Sequence, residues 1–174
     1  MAQPSNTPAL QPDPDLQTGL QYLRASWFDR AEPLFRAALG RHGERPDILH
    51  YLAVCLSQRG ALDEAEVLWR KALAKDPNEP MLSYNLGLVA RRQGRLDEAA
   101  RRFRDTIRRT PAHVEARLAL ASVHIDMARF AAAERELAEF IANIDNAIQQ
   151  PEGEGLKPLQ ARARNMLGHT LYRM

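Results

Sequence analysis

Five histidines and one cysteine are the side chains best equipped to move protons, bind metal or attack an electrophile: His42, His50, His113, His124, His169 and Cys55. Metal or nucleophilic chemistry needs such residues at set spacings, as in H-E-x-x-H on a helix or a Cys/His quartet. Neither pattern occurs. There is no phosphate loop, no G-x-S-x-G elbow and no dinucleotide fingerprint. A lone serine, histidine or carboxylate on a helix is no evidence of an enzyme. We therefore expect no catalysis, no cofactor, no metal and no small-molecule substrate. A single cysteine excludes an intrachain disulfide. Cys55 falls on the apolar side of its segment and reads as an inert core thiol. His124 shares a register with Tyr22, Leu56 and Ala90 and reads as a packed histidine. What remains is the chemistry of binding.

Charge supports that view. The chain has 24 Lys and Arg against 22 Asp and Glu, a net +2. Residues 91–109 nevertheless hold eight arginines against Asp97, Glu98 and Asp105. Residues 126–154 hold seven carboxylates against Arg129 and Arg135. Two readings fit the basic stretch: a solvated helix face, or a patch that steers an acidic partner. Nucleic acid is disfavoured, because the aromatic interleaving of a single-strand platform is missing.

The elements that must position these residues announce themselves by period. Ala31, Ala65, Ala99 and Ala133 lie 34 residues apart. Gly19, Ala53, Gly87 and Ala121 keep the same step, as do Phe35, Trp69, Phe103 and Leu137. Such self-similarity marks a repeat array. The units read 12–45, 46–79, 80–113 and 114–147. Each holds two amphipathic helical stretches, with apolar residues three or four apart. Gly60 and Gly94 separate the two stretches, and Pro77 and Pro111 follow the second. Asp63-Glu64 and Asp97-Glu98 open the second helices, while Lys71, Lys75, Arg108 and Arg109 close them, matching the helix dipole. The small residues mark close approach within a hairpin, and the bulky register is expected to fill space toward the next unit.

Leu86-Gly87, the second-helix alanine, the aromatic four residues later and the closing proline resemble the tetratricopeptide repeat family. The resemblance covers 12–147. It implies an all-α, right-handed superhelical solenoid of antiparallel helix hairpins, with four such units. Units two and three lie nearest the family pattern. Unit one departs at Thr18 and Gly43; unit four departs at Phe140 and at Ala128, where the turn glycine is expected. After 147 the phase breaks. Residues 148–158 read as a loop and 159–174 as a capping helix, a half repeat in which Leu167-Gly168 matches Leu86-Gly87. Residues 1–11 read as a disordered tail.

The resemblance also implies a surface. In this family first helices line a concave groove, and positions 2, 5, 6, 9, 12 and 13 of each unit commonly meet ligands. Carried over, these give His50, Tyr51 and Val54 in unit two, with Asp47, Ser57 and Gln58 beside them. Unit three gives Tyr84, Asn85, Leu88, Arg91 and Arg92, with Met81. Unit four gives Ser122, together with Glu115, Leu118, Ala119, Ile125 and Asp126. Apolar anchors of an extended segment or helix could bury there and pair their acids with arginine. The clamp by which some members hold a chaperone's C-terminal carboxylate is missing: Asn85 fits, but His50, Val54, Leu118 and Ser122 replace its other groups.

The expected function is a non-catalytic adaptor that binds a peptide or helix of a protein partner. The alternatives are a secretion-system chaperone for an extended client and a structural subunit of a larger assembly. The Ala/Arg-rich composition suggests a bacterial protein. No apolar run approaches the ~20 residues of a membrane span, and no signal segment opens the chain. A cytoplasmic location is expected, with a removed leader left open.

Overall fold

The computed structural model describes residues 13–148 and 153–173, all helical or in short turns. The expected tail, 1–11, lies outside this range, as does 149–152 of the expected loop. The helices are α1 (Pro14–Arg24), α2 (Phe28–His42), α3 (Pro46–Gln58), α4 (Leu62–Lys75), α5 (Pro80–Arg92), α6 (Leu96–Arg109), α7 (Val114–Asp126), α8 (Phe130–Ile148) and α9 (Lys157–Tyr172). Two compact units divide the chain, Met1–Pro77 and Asn78–Met174.

Starts and stops follow local chemistry. Pro14, Pro46 and Pro80 open α1, α3 and α5 at a position whose N–H has no intrahelical partner anyway. Asp13 caps α1 by accepting from the backbone N–H of Asp15 at 2.9 Å and of Leu16 at 3.2 Å. Hydrogen bonds from His42 and Arg41 hold the Asp13 carboxyl well below the usual carboxylate range against the opposing effect of burial, and the capped N–H groups add to them.

The turn between first and second helices is built the same way four times. The Trp27, Ala61, Arg95 and Arg129 N–H groups donate to the Tyr22, Leu56, Ala90 and His124 carbonyls at 2.8–2.9 Å. Inside each bond, Ser26, Gly60, Gly94 and Ala128 donate to Leu23, Ser57, Arg91 and Ile125 at 2.9–3.2 Å. This pair of bonds is the Schellman motif, which requires a left-handed residue at its pivot. The pivots have φ of 60, 87, 74 and 54°. Ser26 and Ala128 thus adopt the conformation that glycine takes at Gly60 and Gly94, despite the steric penalty on a side chain there.

In the first unit α1 pairs with α2, α3 with α4, and α2 lies against α3. Ala31, Phe35, Ala38, Ala53, Cys55, Ala65 and Ala72 are wholly buried. Burial pushes the Cys55 thiol up to about 11, as expected of an inert core thiol.

In the second unit α5 pairs with α6, α6 packs on α7, α7 pairs with α8, and α8 packs on α9. One cluster joins Ala90, Ala99, Phe103, Leu120 and Val123. Another joins Leu118, Leu137, Phe140, Ile144 and Ala163. The bulky register does more than the sequence suggested. The Phe103 ring occupies the space a side chain at Gly87 would need, 2.7 Å from an ideal Cβ, and Phe35 does the same at Gly19, 3.0 Å away. The glycine and the aromatic are therefore two halves of one contact within the α1–α2 and the α5–α6 hairpins. Phe35 also reaches the next repeat, where it meets Tyr51 at 5.4 Å between ring centroids.

The C-terminal region departs from the sequence reading. The expected loop includes a 3-10 turn at Gly153–Leu156, and α9 starts at Lys157, inside it. The match of Leu167-Gly168 to Leu86-Gly87 is half realised. Leu167 packs against the α8 cluster, but Gly168 is exposed with nothing near it, because no second helix follows within the described residues.

Candidate functional site

The first helices of the second unit run as neighbours, α5 beside α7 and α7 beside α9. Successive turns of α5 direct Tyr84, Leu88 and Arg91 along one side. Tyr84 and Leu88 are half-buried against the Phe103 cluster. Tyr84 lies 5.7 Å from Phe103 and 4.8 Å from His113, centroid to centroid. Burial raises the Tyr84 phenol above its ordinary value, with the nearby Glu115 carboxylate adding and Arg162 opposing. His113 is itself fixed, because its Nδ1 accepts from the Ala116 N–H at 3.3 Å and caps α7.

Arg91 is committed in a way the sequence reading did not anticipate. Its Nε donates to Asp126 Oδ2 at 2.7 Å, tying α5 to α7. The signal was present: opposite charges at positions 12 and 13 of adjoining units. Both side chains are over a third exposed, so such a pair contributes little, about 0–1 kcal/mol. Exchange of Asp126 for another carboxylate would cost little. Arg92 is exposed. Asn85 is buried, and Ser122 donates its hydroxyl to the Leu118 carbonyl at 2.9 Å. Ser122 itself is half-buried.

The three candidates of the first unit sit together on α3. The His50 Nδ1 accepts the Trp69 indole N–H at 3.1 Å, which satisfies a buried donor. Tyr51 rests on Phe35, and Val54 is half-buried.

Part of the basic stretch is paired with carboxylates, and two of its arginines meet neutral partners. Arg102 meets Glu98 at 3.7 Å, Arg108 meets Asp105 at 3.0 Å, and Arg95 also pairs with Glu98. Arg109 donates to Asn78 at 2.9 Å. Arg104 donates to His124 Nε2 at 3.3 Å, so the neutral ring carries its proton on Nδ1. That buried Nδ1 has no partner among the described residues. Burial first, then Arg104, Arg129 and Arg135, lower the His124 pKa. Among the described residues no cluster of His, Cys, Asp and Glu could hold a metal ion.

Comparison with curated protein sequences finds no match. Among solved structures the fold is similar to that of MamA from AMB-1, at 17% identity over 93% of this chain and 88% of that one, with a TM-score of 0.74. A second crystal form of the same AMB-1 protein matches at 18% identity over 92% and 86%, with a TM-score of 0.70. The OM64 TPR domain of Arabidopsis matches at 18% identity over 63% of this chain and 90% of that one, with a TM-score of 0.60. At such identities the likeness concerns the fold. Residues 22–85 and 90–150 match the tetratricopeptide repeat family. Those two stretches make up well over half of the sequence, and the protein belongs to that family.

Proposed function

We propose that this chain is a non-catalytic scaffold that binds an acidic peptide segment or helix of a protein partner along the first helices of its second unit. Membership of a protein-binding, typically non-catalytic repeat family supports the class. The observation that carries the finer reading is the row Tyr84, Leu88, Arg91 on α5, with Arg91 resting on an exchangeable carboxylate. Aromatic and arginine side chains often dominate interface energy, through large contact area and directed hydrogen bonds. His50, Tyr51 and Val54 occupy the corresponding positions of the first unit. No described helix is long and apolar enough to cross a membrane. A cytoplasmic role stays part of the proposal.

The test is a pull-down with mass spectrometry, then titration of the partner found. Tyr84→Ala with Leu88→Ala should weaken binding by at least ~2 kcal/mol. Arg91→Glu with Arg92→Glu should weaken it and flatten its salt dependence. Variants that keep native circular dichroism and bind like the parent would move the site elsewhere. One observation favours a second reading, a subunit of a larger assembly: among the described residues nothing lies over Gly168 on α9.

A further inference from the structure

Two residues of the first hairpin break the repeat. Trp27 stands where Ala61, Arg95 and Arg129 stand in the later units, and Arg30 where Glu64, Glu98 and Ala132 stand. Folding favours neither choice. Trp27 leaves 52% of its surface in solvent. Arg30 lies in the first turn of α2, where the helix dipole favours a carboxylate and opposes a cation. The two departures meet, for the Arg30 guanidinium sits over the Trp27 ring, 5.0 Å from its centre. Tyr22 lies against the same ring at 5.7 Å. The pivot beside them, Ser26, holds a left-handed φ of 60° without being glycine. Three locally unfavourable residues thus fall at 26, 27 and 30. Such departures from local rules concentrate where a chain binds something.

Ser26, Trp27, Asp29, Arg30, Gln58 and Arg59 line one open hollow between the α1–α2 turn and the end of α3. Its charges are not equivalent. Arg59 is engaged, with Asp29 at 2.7 Å and with Glu32. Arg36 in turn holds Glu32 and Glu64, at 2.8 Å each. Arg30 has no carboxylate partner among the described residues; its contact is the Trp27 ring. The hollow therefore offers one uncommitted guanidinium beside a half-open indole. A carboxylate meets a guanidinium with two parallel hydrogen bonds, and an apolar neighbour covers the open part of the ring. A nucleic-acid strand fits less well. Its phosphates would pass Asp29, whose side chain is 83% exposed, and its bases would find a single open ring.

We propose that this hollow is a docking site for a short acidic segment of a partner protein. The segment's Asp or Glu carboxylate pairs with Arg30, and the apolar side chain next to it packs on Trp27. The site belongs to the first unit and the Tyr84 row to the second, so the two stand or fall separately.

The probe is a capped pentapeptide, Ser-Glu-Phe-Glu-Ser, titrated into the isotope-labelled full chain. Binding is read by nuclear magnetic resonance from the indole N–H signals of its two tryptophans, Trp27 and Trp69. Trp27→Ala assigns the signals and brings in the residue type found at position 61. Arg30→Glu brings in the type found at positions 64 and 98. Folded hairpins of this chain already carry both, and circular dichroism would check the variants. The Trp27 signal should move saturably, with a Kd of about 1 mM or tighter, while the buried Trp69 signal stays in place. Arg30→Glu in the protein, or Gln for both Glu in the peptide, should each weaken binding at least about tenfold. Tyr84→Ala with Leu88→Ala should leave it unchanged. No saturable movement, or movement indifferent to Arg30→Glu, overturns the proposal. So does tighter binding of an oligothymidylate, which would make the hollow a nucleic-acid surface. A Trp27 signal that moves with protein concentration alone overturns it too, because the occupant would then be a second copy.

Discussion

Replacing Gly87 by alanine tests the hairpin contact directly, because Gly168 supplies an internal control. Both glycines lie inside helices, where Gly→Ala alone gains about 0.5–1 kcal/mol from backbone entropy. At Gly168 the new methyl meets nothing within 4 Å, so the whole gain should appear as stability. At Gly87 it would sit 2.7, 2.9 and 3.1 Å from Cε1, Cδ1 and Cζ of Phe103. Carbon atoms prefer about 3.5–4.0 Å. The ring would have to retreat by nearly 1 Å, yet Phe103 is fully buried and backed by Tyr84. Overpacking of this kind costs roughly 1–3 kcal/mol. The propensity gain is common to both sites, so their difference isolates the overpacking cost. Urea unfolding should place Gly87→Ala about 1–3 kcal/mol below Gly168→Ala. Phe103→Leu should then cost less, by ~1 kcal/mol or more, in the Gly87→Ala background than in the parent, since the clash and the ring are coupled. Equal stabilisation by both glycine substitutions, or additive behaviour with Phe103→Leu, would refute the notch-and-ring account.

Three further outcomes follow from the same packing. Ala128→Gly and Ser26→Gly relieve left-handed strain at Schellman pivots and should each stabilise by about 0.5–1 kcal/mol, whereas Gly94→Ala should destabilise; melting temperatures read both. His124 is buried with its pKa below the ordinary 6.5, so the unfolded chain binds the extra proton first and stability should fall as pH drops below about 6.5. His124→Leu puts there the residue type that the corresponding position 56 already buries, and should remove that pH dependence and raise stability near neutrality; an unchanged slope in urea unfolding from pH 7.5 to 5 would count against it. Ending the chain after residue 155 should bare Phe140 and Ile144, at about 1.5–3 kcal/mol of lost burial each, and cause aggregation on size exclusion; a monomer of unchanged unfolding free energy would exclude a capping role.

The sequence alone determined the repeat, because each repeat in such an array touches only its neighbours and must bury the same faces every 34 residues. Small, bulky and turn registers are thus written as a period, and the ends of α3 and α4 could be read from it. Even the left-handed pivot at Ala128 was marked by its place in the turn register. The candidate surface was legible only as positions. What Tyr84 leans on, that Arg91 holds Asp126 and that His50 serves Trp69 depended on the tertiary structure. These are contacts between side chains on different helices, 19 to 35 residues apart, formed or lost over about an ångström of displacement. The open face of α9 belongs to the same class. Its sequence matches a buried first helix, and only the packing shows that nothing among the described residues lies over Gly168, because burial is a property of the neighbour and not of the residue.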